Sequence, residues 1–226
     1  MAAAAQHKFQ AHESEVLVDA PILALRRDQV EMPGGKKSAR EIVEHFGAVA
    51  VVAYRPGDAQ DPGSGEIALV RQYRQCVAQR LLELPAGILD LAQEEELHCA
   101  QRELQEEAGL AAKDWRVLVD LVTSPGFCDE AVRVYLAQEL EDVPQPEAED
   151  EEADMVVEWV PLSTAVSSIM RGEIVNSIAI AGIFAAAEVV SGRSVARPVS
   201  TPFALRPQRL AQRRIAQGIG PDLKKL

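Results

Sequence analysis

Between Glu15 and Phe46 short apolar runs alternate with polar positions (EVLVDA, then PILALRRDQVEM) and are broken by Pro33-Gly34-Gly35. Period-two runs bounded by turn residues predict a small meander of strands. From Gly47 the apolar runs lengthen. GAVAVVAYR, EIALVRQYR and LLELPAG predict strands of a mixed central sheet, with Asp58 to Gly65 as the loop between the first two. The period then changes to that of a helix from about Glu94 to Ala108, where Leu97, Ala100, Leu104 and Ala108 form the inward stripe and Gly109 suits the C-terminal cap. WRVLVDLVTS and AVRVYLAQEL predict two more strands, separated by the short polar loop Pro125-Gly126-Phe127-Cys128-Asp129-Glu130. The strand-like MVVEWV and two helical segments, about Ser163 to Arg171 and Asn176 to Val190, complete an α/β pattern; the last helix is too apolar to stand alone.

The length, 226 residues, suits one large domain or a catalytic domain with an appendage. Three parts are expected: an N-terminal strand domain over 1–46, a catalytic domain over 47–192 and a basic tail over 193–226. Hydrophobic residues at 47% and charged residues at 26% are ordinary for a soluble globular chain. Lys plus Arg is 23 against 35 for Asp plus Glu, a formal charge of -12, which argues against a general nucleic-acid or membrane surface. Charge is unevenly spread. Nine acidic residues and no basic one lie from Glu141 to Glu158, whereas the tail beyond Gly192 carries arginines and lysines against Asp222 alone. The tail, with its prolines and no apolar period, is expected to be solvated and mobile, or else to contact the acidic stretch of a partner subunit.

Cys76, Cys99 and Cys128 lack the paired spacing of a disulfide framework or zinc site, so a reducing cytoplasm is the expected setting. The start, MAAAAQHKFQ, has no apolar stretch of signal-peptide character, and no run approaches the roughly 20 apolar residues that span a bilayer.

The most informative segment is Gly87 to Leu110, GILDLAQEEELHCAQRELQEEAGL. Glu103, Glu106 and Glu107 stand at i, i+3 and i+4, so a helix projects three carboxylates from one face. When solvated, such like-charge pairs cost only about 0.2 to 0.5 kcal/mol each, so a charged outer face is the plain alternative. Three features favour a site. A strand ending Leu84-Pro85-Ala86-Gly87 precedes the helix and would hold the acids rigidly at a sheet edge, as a hard cation such as Mg²⁺ requires. Arg102, four residues before Glu106 and eight after Glu94, could fix and tune those acids. The acidic loop supplies a further carboxylate able to act on water.

At these residues the chain resembles the Nudix hydrolase family, whose signature is Gly-x5-Glu-x7-Arg-Glu-U-x-Glu-Glu-x-Gly-U, with U a bulky apolar residue. Arg102, Glu103, Leu104, Glu106, Glu107, Gly109 and Leu110 match without a gap, and Glu94 is correctly spaced from Arg102, but Gly87 is followed by six residues rather than five. The stretches ARE at Ala39 to Glu41, EHFGAVAVV, VRQYR, LELPAG, SPGF at Ser124 to Phe127, EEADM and GEIVNSIAIAG are similar to the bacterial ADP-ribose pyrophosphatase branch, over roughly Val16 to Gly182. The resemblance implies an α/β/α sandwich with a mixed central sheet, preceded by a small N-terminal β domain exchanged between two subunits. The implied partner is a second copy, in a domain-swapped homodimer.

The activity implied is hydrolysis of the pyrophosphate of ADP-ribose to AMP and ribose 5-phosphate by metal-assisted attack of water. Mg²⁺, with Mn²⁺ as the substitute, would neutralise the diphosphate and lower the pKa of the water. Glu103 and Glu107 are the expected ligands, Glu106 assists, and the resemblance adds the backbone carbonyl of Ala86. Carboxylates committed to metal are poor bases, and the resemblance picks Glu152 for that role, with Glu151 as the fallback. Arg40 and Arg74 match positions that reach the ligand in the family, although either could form a salt bridge instead. Glu41 and Phe46 share the N-terminal neighbourhood of Arg40, and Gly126, Phe127, Asp129 and Glu130 would meet the terminal ribose, with Phe127 equally suited to a core.

Other motifs fail: Gly34-Gly35-Lys36-Lys37 is no phosphate loop, His-Glu-x-x-His is absent, and Gly63-Ser64-Gly65 lacks a nucleophile-elbow spacing. His98 and Cys99 read as plain helix residues. Three alternatives stay open: another nucleoside diphosphate sugar or a dinucleotide as substrate, a Nudix-fold sensor that binds ADP-ribose without cleaving it, and an acidic metal-buffering scaffold.

Overall fold

Strand β4 (Ala48–Arg55) is buried along nearly its whole length, and its two faces feed different cores. Ala48, Ala50, Val52 and Tyr54 join Leu69, Leu84, Val134 and Ile183 in one cluster, while Val49, Val51 and Ala53 join Ala68, Leu104, Trp115 and Tyr135 in the other. Period-two side chains with apolar residues on both faces demand cover on both sides, and a three-layer sandwich results. The structure is a computed structural model describing residues 7–58, 60–146 and 154–225.

The central sheet has seven strands: β4, β5 (Glu66–Arg74), β6 (Gln79–Glu83), β7 (Ala86–Ile88), β8 (Leu110–Val122), β9 (Ala131–Asp142) and β10 (Val156–Pro161). The path runs β10-β5-β4-β9-β8, with β6 on β5 and β7 on β4. Among the described residues only β4 and β9 of this sheet pair in parallel, so the sheet is mixed. Strand β4 is shared: β5 takes its end at Tyr54 and Arg55, whereas β7 takes Ala48 to Ala50. The sheet therefore forks, and the fork opens the space used below.

Helix α1 (Glu96–Ala108) covers one face through Cys99, Ala100 and Leu104. Gly109 ends it at a φ of 64°, a left-handed value that glycine adopts without strain, and its N–H returns to the Gln105 carbonyl at 3.0 Å. Helices α2 (Leu162–Met170) and α3 (Ser177–Val190) cover the other face; Asn176 caps α3 by accepting from the Ala179 N–H at 2.9 Å. The apolar α3 is buried through Ala179, Gly182, Ile183 and Ala186. No helix among the described residues is long and apolar enough to cross a membrane.

The strands β1 (Ala11–Ala20), β2 (Leu23–Glu31) and β3 (Lys37–His45) form a separate antiparallel sheet in sequence order. Its link to the body is specific. Val43 donates its N–H to the Phe127 carbonyl at 2.7 Å and accepts from the Asp129 N–H at 3.0 Å.

The expectation of a solvated, mobile tail is corrected. Residues 193–225 wrap the body, and α4 (Arg209–Ala216) seats Leu210 with Ala24, Phe46 and Leu223 in a third apolar cluster. The cations of α4 find counter-charges in the N-terminal sheet of the same chain: Arg213 pairs with the buried Glu44, and Arg214, wholly buried, pairs with Asp19 at 2.8 Å and donates to the Ala20 carbonyl at 2.7 Å. Farther back, Arg197 forms a backbone bridge with Val117, and the buried Arg133 donates to the Thr201 and Pro202 carbonyls. Buried ion pairs lose much of their attraction to desolvation, so this network specifies where the tail lies more than it adds net stability.

Candidate active site

Helix α1 faces the end of β6 and the start of β7 across a cavity of about 740 Å³. Its wall includes Arg74, Ala86, Arg102, Glu103, Glu106, Glu107 and Glu130. Glu103 and Glu107 lie on the buried side of the helix, because the turn that carries Leu104 into the core carries them toward the sheet. Glu107 accepts the Ala86 N–H at 2.8 Å, tying the helix to the strand end. Glu103 packs against Gly87, where a Cβ would lie 2.0 Å from its carboxyl carbon.

Arg102 gathers the acids. Its guanidinium reaches Glu94 at 3.1 Å, Glu103 at 2.7 Å and Glu106 at 2.8 Å. Burial disfavours the charge, but hydrogen bonds to Glu94 and the field of Glu103 outweigh it and raise the Arg102 pKa. Burial pushes the Glu103 carboxyl up to about 7 against the pull of Arg102, and the charges of Glu106 and Asp90 act in the same direction as burial. Cys99 beneath is buried, its thiol pushed up by desolvation, so it is an inert core residue.

The extra residue between Gly87 and Glu94 is absorbed in a turn where Gln93 takes a φ of 66°, a left-handed value uncommon outside glycine. Ala92 in that turn donates to the Pro221 carbonyl at 2.8 Å.

Among the described residues no three histidine, cysteine or carboxylate side chains are grouped as a ready coordination shell. The donor chemistry nevertheless fits a hard divalent cation: the wall is rich in carboxylate oxygens, and burial makes the charge of Glu103 costly even with Arg102 beside it. Glu103, Glu106, Glu107 and the Ala86 carbonyl are the residues that could hold one.

Of the other residues singled out from sequence, Arg74 and Glu130 line the cavity, whereas Arg40, Glu41, Gly126, Phe127 and Asp129 are not part of its wall. Arg40 is exposed on β3 and donates to Ser38 Oγ and its neighbour's carbonyl, and Glu41 pairs with Arg27 at 2.8 Å. Phe127 is 60% exposed, so it is not a core residue, and Gly126 beside it faces open space. Asp129 accepts the His45 N–H at 2.8 Å, and its carboxyl is raised by burial. Glu151 and Glu152 lie outside the described residues. Arg74 forms a two-pronged pair with the buried Glu83 at 2.7 and 3.1 Å.

Sequence reasoning missed Glu83, Asp90 and Lys224, which also line the cavity. Glu83 had a signal, as a lone acid alternating with Leu82 and Leu84 in a strand. Lys224 had none, being brought in only by the path of the tail.

These features have counterparts in known proteins. The NUDIX domain model matches residues 44–176, and the nucleoside diphosphate sugar hydrolase N-terminal domain model matches residues 9–43. The chain belongs to the Nudix family and is built as a hydrolase of that family. It is 52% identical over 210 residues to an ADP-ribose pyrophosphatase of Mycobacterium tuberculosis, covering 93% of this chain and 98% of the relative. An ADP-ribose pyrophosphatase of Bacillus subtilis is 37% identical, covering 72% and 84%. A crystal structure of an ADP compounds hydrolase superposes with a TM-score of 0.68 at 18% identity, over 85% of this chain and 99% of that one, which shows a shared fold.

Proposed function

We propose that this protein hydrolyses the pyrophosphate bond of ADP-ribose to AMP and ribose 5-phosphate with the help of a divalent cation, Mg²⁺ or in its place Mn²⁺. The observation that carries the reading is the pair of buried carboxylates, Glu103 and Glu107, turned toward the Ala86–Gly87 strand end within a cavity large enough for a nucleotide sugar. The names of the two bacterial relatives support the choice of ADP-ribose.

A divalent cation in such a site neutralises the diphosphate and lowers the pKa of the attacking water. Glu103, Glu106, Glu107 and the Ala86 carbonyl would hold it. The Ala86 N–H orients Glu107, and Arg102 spaces Glu94, Glu103 and Glu106 so that their oxygens are placed before substrate arrives. Glu152, free of those duties, takes the proton from the water that attacks phosphorus. Arg74, carried by β5 to the cavity wall, is the side chain suited to a phosphate or the adenine.

Arg40 and Glu41 stand away from their own chain's cavity, which suits an N-terminal sheet that serves the site of a second copy in an exchanged homodimer. The exposed Val16 and Val18 on β1 are consistent with that pairing. Three free cysteines accord with a reducing cytoplasm.

The test is an assay of AMP release from ADP-ribose and from other nucleoside diphosphate sugars, with and without Mg²⁺, beside a Glu107→Gln control. ADP-ribose turnover that requires Mg²⁺ and collapses in the control is expected. Preference for another diphosphate sugar would overturn the substrate, and metal-independent turnover would overturn the site.

A further inference from the structure

Lys224 lies far from the Nudix segment in sequence and beside it in space. Leu223 donates its N–H to the Asp90 carbonyl at 2.9 Å, Leu91 and Asp222 form a backbone bridge, and Pro221 accepts from Ala92. Leu223 is buried with Phe46 and Leu210, which fixes the backbone of the next residue. The Lys224 ammonium then pairs with the buried Asp90 carboxylate and lines the same cavity as Glu103, Glu106 and Glu107.

The cation balance of the cavity gives this placement its meaning. Among the described residues three cationic side chains line it, Arg74, Arg102 and Lys224, against twice as many carboxylates. Arg102 is shared among three glutamates and Arg74 is clasped by Glu83. Lys224 is anchored by one carboxylate, its side chain remains 41% exposed, and an ammonium has three donors on a rotatable stem. A cation held on one side by a buried acid and open on the other is built to receive an anion.

We propose that the carboxy-terminal segment supplies a substrate-binding residue to the site, with the Lys224 ammonium, seated by Asp90 and Leu223, donating to a phosphate oxygen of the diphosphate. The proposal rests on the reading that the cavity takes a nucleoside diphosphate sugar. It adds to the cation-binding acids a cation contributed by the protein itself, and it gives the tail a role at the site.

The experiment uses the full chain in Mg²⁺ buffer and compares the unsubstituted protein with Lys224→Met and Lys224→Arg. Calorimetric titration with inorganic pyrophosphate reads the contact directly, while ADP-ribose turnover is measured in parallel. Lys224→Met should weaken pyrophosphate about tenfold and raise KM for ADP-ribose by a similar factor with kcat within about twofold, and Lys224→Arg should restore most of both. Thermal unfolding of each variant separates loss of fold from loss of contact, and Lys224→Gln, read well below its midpoint, replaces Lys224→Met if that variant is unstable. Unchanged pyrophosphate affinity in a folded charge-free variant overturns the proposal. A protein that binds pyrophosphate through Lys224 yet leaves ADP-ribose intact would instead overturn the proposed function, so the two failures are distinct.

Discussion

Gly87 and Glu103 occupy one space that only a residue without a side chain can share, since a Cβ on Gly87 would sit 2.0 Å from both the carboxyl carbon and Oε1 of Glu103. The glycine of the segment is thus a receptacle for an acid sixteen residues later, and the strand end and helix are matched parts. Gly87→Ala should displace the Glu103 carboxylate. A shift of this kind is expected to lower kcat for ADP-ribose about 100-fold while the thermal midpoint changes little, as steady-state kinetics and calorimetry would show.

Arg102 is a planar fork among three glutamates. Lysine keeps its charge and loses its geometry. Arg102→Lys should therefore raise the Mg²⁺ concentration needed for half-maximal turnover about 10- to 100-fold, and a magnesium titration of activity measures this. Equal magnesium dependence of the two proteins would remove Arg102 from any role in arranging the acids.

Removal of a general base costs about 10² to 10⁴ in turnover. Glu152→Gln should lose activity within that range and unfold at the same temperature as the parent, whereas Glu151→Gln should stay within a few-fold. The reverse pattern would transfer the role to Glu151.

Asp120 joins the body to the tail. Its burial raises its pKa, yet hydrogen bonds from Arg133 and Arg197 outweigh this and hold the carboxyl below its ordinary value. A group depressed in the folded state stabilises above its unfolded pKa, and that stability is lost as pH falls through the folded value. Asp120→Asn should lower stability at neutral pH by about 3 kcal/mol, because it leaves Arg133, 1% exposed, without its anion. The loss relative to the parent should shrink below pH 4, which denaturant unfolding at several pH values would follow.

Much of the architecture is legible in the sequence because its causes are local. The two-sided apolar run of β4, the stripe on α1 and the Gly109 stop each follow from spacing within one element. The acids of α1 are legible for the same reason, since three- and four-residue spacing places them on a common face. The tail is not, because its anchors are single apolar residues, Leu210 and Leu223, and its arginines answer Asp19 and Glu44 near the other end of the chain. No window of sequence contains both halves of such a pair. Asp90 and Lys224 are hidden in the same way, each an unremarkable residue until the fold brings them together.

The pairing of Arg213 with Glu44 and of Arg214 with Asp19 also has a consequence for biosynthesis. A nascent chain made amino end first holds Glu44 and Asp19 for the whole time the catalytic body is being made, before the guanidiniums that neutralise them have been synthesised. The wall that Lys224 contributes is added later still. Completion of the central sheet therefore leaves the cavity unfinished until residues 209–224 have docked.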